Sequence, residues 1–229
     1  MYAWAPKLQG TVPSRGRWPV KFKLGDATDR ALCAAISHEY LRCDDALHEF
    51  ARLRQEMMTA GEDRRLSYAT YNAYARFIHH LYEFNMTCAQ RDLLDTSFQP
   101  KNDDADRLIA SHADRAIRLR RKGFNQLAYG ARPFEPLPIL MVFAKTFRTA
   151  RNTSNGHAKH QRYTLNLSDF FTRYHRFLLD MHNSARHMWM QQGDQFPDWG
   201  EITAFSVVVK TAVPPTDVPD DQADASSVV

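Results

Sequence analysis

The sequence predicts an all-α fold, a bundle of four to five long helices between an extended N-terminal arm and an acidic tail. Three observations carry this. Apolar residues recur at spacings of three and four along five long stretches. Every proline between residues 26 and 192 falls in a join between two stretches, where its missing N–H costs least. An apolar share of 44%, with 12% aromatic residues, is enough to bury a core in a chain of 229 residues.

Residues 1–25 carry Pro6, Pro13, Pro19, Gly10, Gly16 and Gly25 among Trp4, Trp18 and Phe22. That is too broken for a helix and too aromatic for a free linker, so it reads as an extended arm packed on the body or on a second subunit. The helical domain spans residues 26–211. Asp26 or Thr28 caps its first helix, which runs to about Thr59 on the apolar positions Leu32, Ala35, Ile36, Leu41, Leu47, Phe50, Leu53 and Met57; Gly61 ends it. The second helix runs from about Leu66 to Asp95, burying Tyr71, Tyr74, Ala75, Ile78, Leu81, Tyr82 and Cys88. Pro100 and the Lys-Asn-Asp-Asp run make a loop.

A third helix, about Asp103 to Ala128, ends in a basic stretch in which Arg115, Arg118 and Lys122 share one face. Pro133, Pro136 and Pro138 force an extended link. The fourth helix runs from about Ile139 to Ala150 and delivers Arg151 at its C-terminal end, followed by a loop over Asn152 to Gly156. Ser168-Asp169 caps the fifth, which ends near Gln192 and carries the stripe Phe170, Phe171, Tyr174, Phe177, Leu178, Met181, Ala185 and Met188. The β-branched run ITAFSVVVK, 202–210, reads as one strand. Residues 212–229 read as disordered from their Pro, Asp and Ser content.

Composition narrows the function classes. No apolar run is long enough to cross a bilayer, and the first residues lack a basic segment followed by an apolar one, so no membrane partner and a cytoplasmic location are expected. Cys33, Cys43 and Cys88 show no CxxC spacing and an odd count, which fits a reducing compartment and buried thiols. The net charge is +4 although the tail after Lys210 holds four aspartates and no base, so the body is more basic than the total suggests and suits an anionic partner. Walker loops, dinucleotide fingerprints, zinc spacings and nucleophile elbows are missing from the sequence. His80 and Glu83, at i and i+3, could share a metal, but a di-metal bundle needs a second such set and the sequence has none. Those residues read as a partly exposed polar face, His175 and His182 as surface or inter-helix polar residues, and no metal or cofactor is expected.

The chemistry concentrates in Arg151-Asn-Thr-Ser-Asn-Gly-His157. Arginine offers a planar fork of donors matched to phosphate oxygens, and histidine exchanges protons near neutral pH. Arg–His pairs at similar gaps occur at Arg42–His48, Arg107–His112 and Arg176–His182, but those fall inside predicted helices. The Arg151 pair instead has Asn152 directly after the arginine, Gly156 before the histidine, and the basic flanks Arg148, Lys159, His160 and Arg162.

Here the chain resembles the HEPN superfamily of helical nucleotide-binding proteins and ribonucleases. The likeness rests on Arg151, Asn152 and His157, on the helix plan over about residues 26–192, and on the aromatic second helix Phe77-Ile-His-His-Leu-Tyr-Glu-Phe84. Two features depart from it: Ala158 stands where many active members carry an aromatic residue, and the arm and tail match nothing general in the family. The resemblance implies a HEPN-like bundle and a metal-independent endoribonuclease, of a toxin or defence kind. It implies a homodimer with one composite site, held in check by an inhibitory protein partner. His157 would move the proton, Arg151 would stabilise the phosphorane charge, and Asn152 would orient the phosphate. Arg148, Lys159, His160, Arg162, Arg118, Arg121 and Lys122 would bind substrate, RNA or a nucleotide, electrostatically. Two other readings stay open. Arg151 could simply complement a helix dipole, with His157 an ordinary loop residue. The chain could also be a non-catalytic module binding a nucleotide, RNA or a protein through its basic third helix.

Overall fold

The computed structural model describes residues 21–61, 63–125, 137–155, 165–189 and 200–211. Among them it is all-helical: α1 (Ala27–Ala60), α2 (Arg64–Asp92), α3 (Asn102–Asn125), α4 (Leu137–Asn155), α5 (Leu167–Trp189) and α6 (Gly200–Thr211), with no strand. None of these helices is long and apolar enough to cross a membrane. The first five belong to one compact unit and α6 to another. Residues 1–20 of the arm predicted over 1–25, and the tail predicted over 212–229, lie outside the described residues.

Caps explain where the helices start. The Asp26 carboxylate accepts from the Asp29 N–H at 2.9 Å, which selects Asp26 over Thr28 as the first cap. Asp63 accepts from the Arg65 and Leu66 N–H groups at 3.2 and 3.3 Å and opens α2. The α1–α2 turn passes through Gly61 at φ 84°, a left-handed conformation that a side chain would strain. At the open end of this hairpin, the Arg91 guanidinium donates to the buried Asp29 carboxylate at 2.8 Å, stitching the start of α1 to the last turn of α2. Beside it Phe22 is buried and its N–H reaches the Leu94 carbonyl at 3.4 Å.

Helix α2 is the central element and touches α1, α3, α4 and α5. Its buried residues therefore cover more than one face: Ala73, Tyr74, Phe77, Ile78, Leu81, Tyr82, Phe84 and Asn85. Tyr71, expected inside, is 40% exposed. Around it pack Cys43, Phe50 and Leu53 of α1, Ile109, Ala113 and Ile117 of α3, Leu140, Phe143 and Phe147 of α4, and Phe170, Tyr174, Phe177 and Leu178 of α5. Cys43 is wholly buried, while Cys33 and Cys88 are partly buried; all three are free thiols.

Three sequence expectations are corrected. Residues 202–210 are helical, not a strand; β-branched content is a weak preference that context overrides. Helix α5 is capped by Asn166, whose side chain accepts from the Asp169 N–H at 2.9 Å, not by Ser168-Asp169. Helix α4 starts at Leu137, with Pro138 tolerated in its first turn, and runs through Asn155, so Asn152–Asn155 is helix where a loop was expected. The Ser154 hydroxyl donates back along the helix to the Ala150 carbonyl at 2.7 Å instead of diverting the backbone into a turn.

His175 of α5 is an inter-helix residue in an aromatic cage. Its ring stacks on Phe171 at 4.5 Å between centroids, Phe50, Tyr74 and Phe77 close around it, and the Tyr74 hydroxyl lies 3.2 Å from Nδ1. Burial, helped by the charge of Arg54, pushes its pKa down to about 4 from an ordinary 6.5. Between those values the unfolded chain holds the proton and the folded chain does not. Stability is therefore lost as pH falls from 6.5 towards 4, and the residue contributes no slope above that window. Urea melts at pH 7 and 4.5 should show wild type losing on the order of 1–2 kcal/mol more than His175→Phe, the full shift being discounted because solvent still reaches part of the ring. Equal losses in the two proteins would remove His175 as the cause.

Candidate functional site

The polar residues of greatest interest lie along one side of α2, between α1 and α4. His79, His80 and Glu83 project there at helical spacings i, i+1 and i+4. Glu39 reaches them from α1, and Arg151 and Asn152 reach them from the end of α4.

Arg151 is held from three directions. One Nη donates to Glu83 in an ion pair, the other donates to the Asn152 side-chain oxygen at 2.7 Å, and the guanidinium carbon lies 5.6 Å from the centroid of the Tyr82 ring. Tyr82 is itself buried, edge-on to Phe147 at 5.3 Å. Successive residues of α2 thus supply a floor and a wall for one cation. The side chains of Arg151 and Glu83 remain 29% and 31% exposed, so solvent reaches part of the pair. The Arg151 Nε is buried with no partner among the described residues. A guanidinium offers five N–H donors, and two directions are committed, so donors remain for an oxyanion.

The remaining part of the cluster is more enclosed. His80 is buried and its Nδ1 donates to Glu39 Oε1 at 2.5 Å. Burial pushes the Glu39 carboxyl up, but the hydrogen bond and charge of His80, with Arg42, outweigh it and hold the group below its ordinary value. His79 is partly buried, and its Nδ1 has no partner among the described residues. Burial lowers its pKa; the charges of Glu83 and Glu39 oppose this, and those of Arg151 and His80 add to it. It is therefore a neutral imidazole near neutral pH, able to take up a proton beside a fixed cation.

The expected site residues are distributed unevenly. Arg151 donates to the side chain of Asn152, the next residue in the chain, at 2.7 Å. His157, Lys159, His160 and Arg162 lie outside the described residues. Arg148, one turn before Arg151, is committed to Asp106 of α3 by two hydrogen bonds, Nε to Oδ1 at 2.8 Å and Nη2 to Oδ2 at 2.9 Å. On α3, Arg115 and Arg118 are exposed, and Arg118 donates to Asp114 at 2.6 Å; the side chains of Arg121 and Lys122 lie outside the described residues.

One participant, Glu39, had no sequence signal, and a second, Glu83, was paired with the wrong residue. Glu39 is 41 positions before His80, and only the packing of α1 on α2 brings them together. Glu83 was noticeable beside His80, yet it faces Arg151 across 68 positions. His80 is not on a partly exposed face, as expected, but buried against α1. His182 lies deeper in α5 as an inter-helix residue, its Nε2 2.9 Å from Asp44 and its ring stacked on Tyr40 at 5.3 Å.

No protein-family model, curated protein or solved structure matches the chain.

Proposed function

We propose that the chain is a metal-independent endoribonuclease of HEPN type, acting in the cytoplasm as a homodimer with Arg151, Asn152 and His157 as its reacting set. The observation that carries the reading is the state of Arg151: a partly exposed guanidinium, oriented by Glu83, Asn152 and Tyr82, with donors to spare. A group fixed in this way meets developing negative charge without first having to be ordered. Its place in the Arg-Asn-x-x-x-x-His segment puts His157 five residues beyond Asn152 in the chain.

In this reaction the RNA 2′-oxygen bonds to the adjacent phosphorus as the bond from phosphorus to the 5′-oxygen breaks. His157 takes the 2′-hydroxyl proton, and the departing 5′-oxygen gains one. Arg151 neutralises charge on the non-bridging oxygens and Asn152 aligns the phosphate. The products are a 2′,3′-cyclic phosphate and a 5′-hydroxyl. RNA is required because the nucleophile is its own 2′-hydroxyl. A toxin or defence role, with an inhibitory protein partner, is what the resemblance to HEPN proteins implies for such an activity.

The test is cleavage of an end-labelled RNA in EDTA by wild type, Arg151→Ala and His157→Ala. Wild type should leave cyclic-phosphate ends, and each variant should fall by at least about 10²-fold. Unchanged cleavage by the variants, or cleavage of the 2′-deoxy substrate, would falsify the assignment. The exposed Arg115 and Arg118 support a second reading, a non-catalytic RNA- or nucleotide-binding module. RNA binding without cleavage, lost in an Arg118→Ala, Arg121→Ala, Lys122→Ala triple variant but kept in His157→Ala, would select it.

A further inference from the structure

The inner end of the cluster calls for an occupant that the ribonuclease reading does not use. Glu39, His79 and His80 each offer one donor atom, and these atoms lie within 4.8 Å of one another. Two imidazole nitrogens and a carboxylate oxygen are the donor set with which three-ligand zinc sites leave a fourth position open. Imidazole favours first-row transition ions, and a single carboxylate in the set argues against calcium or magnesium, which take mostly oxygen.

The second observation is the condition of His79. Its Nδ1 is buried with no partner among the described residues. A buried polar atom left unpaired costs about 1–3 kcal/mol. His80, its neighbour on the helix, is satisfied by Glu39 at 2.5 Å, so the pair of residues on one turn is half-answered. Glu83 does not complete the set from the protein side, because Arg151 holds it. An ion drawing in all three donors needs bonds of about 2.0–2.2 Å, which side-chain rotations of an ångström or so supply. The donors also come from two helices, so binding would join α1 to α2 at mid-length, as an inter-helix clamp.

We propose that Glu39, His79 and His80 form a binding site for one divalent transition-metal ion of the zinc and cobalt class, with an open coordination position beside the Arg151–Glu83 pair. The site is distinct from the RNA-cleaving set, and its loading is read without RNA.

The experiment uses the full chain, stripped with EDTA and dialysed, then titrated with Co²⁺ and, separately, Zn²⁺. One equivalent of Co²⁺ should give visible d–d absorption that Zn²⁺ displaces, and Zn²⁺ should raise the melting temperature. His79→Ala removes a ligand whose Nδ1 makes no hydrogen bond, so it should fold and lose affinity by more than the roughly 10-fold that losing an outer-shell partner costs. Glu39→Gln should weaken binding as well, while His48→Ala, at an exposed histidine outside the cluster, should bind as wild type does. A folded wild type with neither absorption nor thermal shift overturns the proposal, as does a folded His79→Ala that binds undiminished. Cleavage in EDTA is scored independently, so each reading can fail alone.

Discussion

Arg148→Ala is expected to destabilise the bundle by about 3–5 kcal/mol, as breaking a buried ion pair from one side does. The side chains of Arg148 and Asp106 are only 17% and 5% exposed, and two parallel hydrogen bonds join them between α3 and α4. Removing the guanidinium leaves a nearly buried carboxylate without its cation, and no other ion pair to it is seen among the described residues. The penalty comes from the stranded charge more than from the lost attraction. A double variant, Asp106→Leu with Arg148→Met, removes both charges at similar volume and should recover most of the loss. Urea denaturation of the three proteins checks this. A single variant costing under about 1 kcal/mol, or a double variant no better than the single, would mean the pair is effectively solvated. The result also bears on function. RNA affinity lost in Arg148→Ala counts for nothing about substrate contact until the variant is shown to be folded.

Phe147→Ala should cost about 3–5 kcal/mol by opening a cavity in the most aromatic part of the core. Phe147 is wholly buried, stacked on Phe143 at 5.5 Å, and in contact with Tyr82 and Phe170. Phe147→Leu keeps most of the volume and should cost less than half as much. Thermal or urea denaturation measures both. Equal costs for the two substitutions would show that ring geometry, not volume, governs the site. Because Tyr82 rests on Phe147 and carries Arg151 on its other side, Phe147→Ala should also lower RNA cleavage in protein that remains folded. Phe147 and Arg148 are chain neighbours, so their costs are not expected to add.

The bundle was legible because periodicity is a strong signal. The stripe of α5, from Phe170 through Leu178 to Ala185, is buried as its spacing requires, and Gly61 marks the end of α1. Residues 202–210 read as a strand because of their β-branched side chains, which bias a strand only weakly, and ITAFSVVVK does not sustain a strict alternation of polarity along its length. The end of α4 was misread for the opposite reason: Asn, Thr and Ser favour turns in isolation, yet their short side chains also bond to a helix they have joined. In the site, Arg151 was visible as a cation in a polar segment. Its partners were not, because Glu83 and Tyr82 meet it only through the packing of α2 on α4. Glu39 is one of many acidic residues on helices and becomes special only through the register of α1 against α2.

The composition of α2 between Phe77 and Phe84 has a consequence for how this protein can change. Phe77, Ile78, Leu81 and Phe84 fill the core, while His79, His80, Tyr82 and Glu83 build the polar cluster, with Tyr82 and His80 buried as well. The two sets alternate within two turns of one helix, so they share a single rotational phase. Adding or deleting one residue before Phe77 turns everything after it by about 100°, which would expose the phenyl rings and carry the imidazoles and the carboxylate away from Glu39 and Arg151 together. Variation here is confined to substitution at fixed length. A lineage that altered the chemistry of this face could not do so by sliding the helix; it would have to exchange side chains one at a time on an unmoved frame.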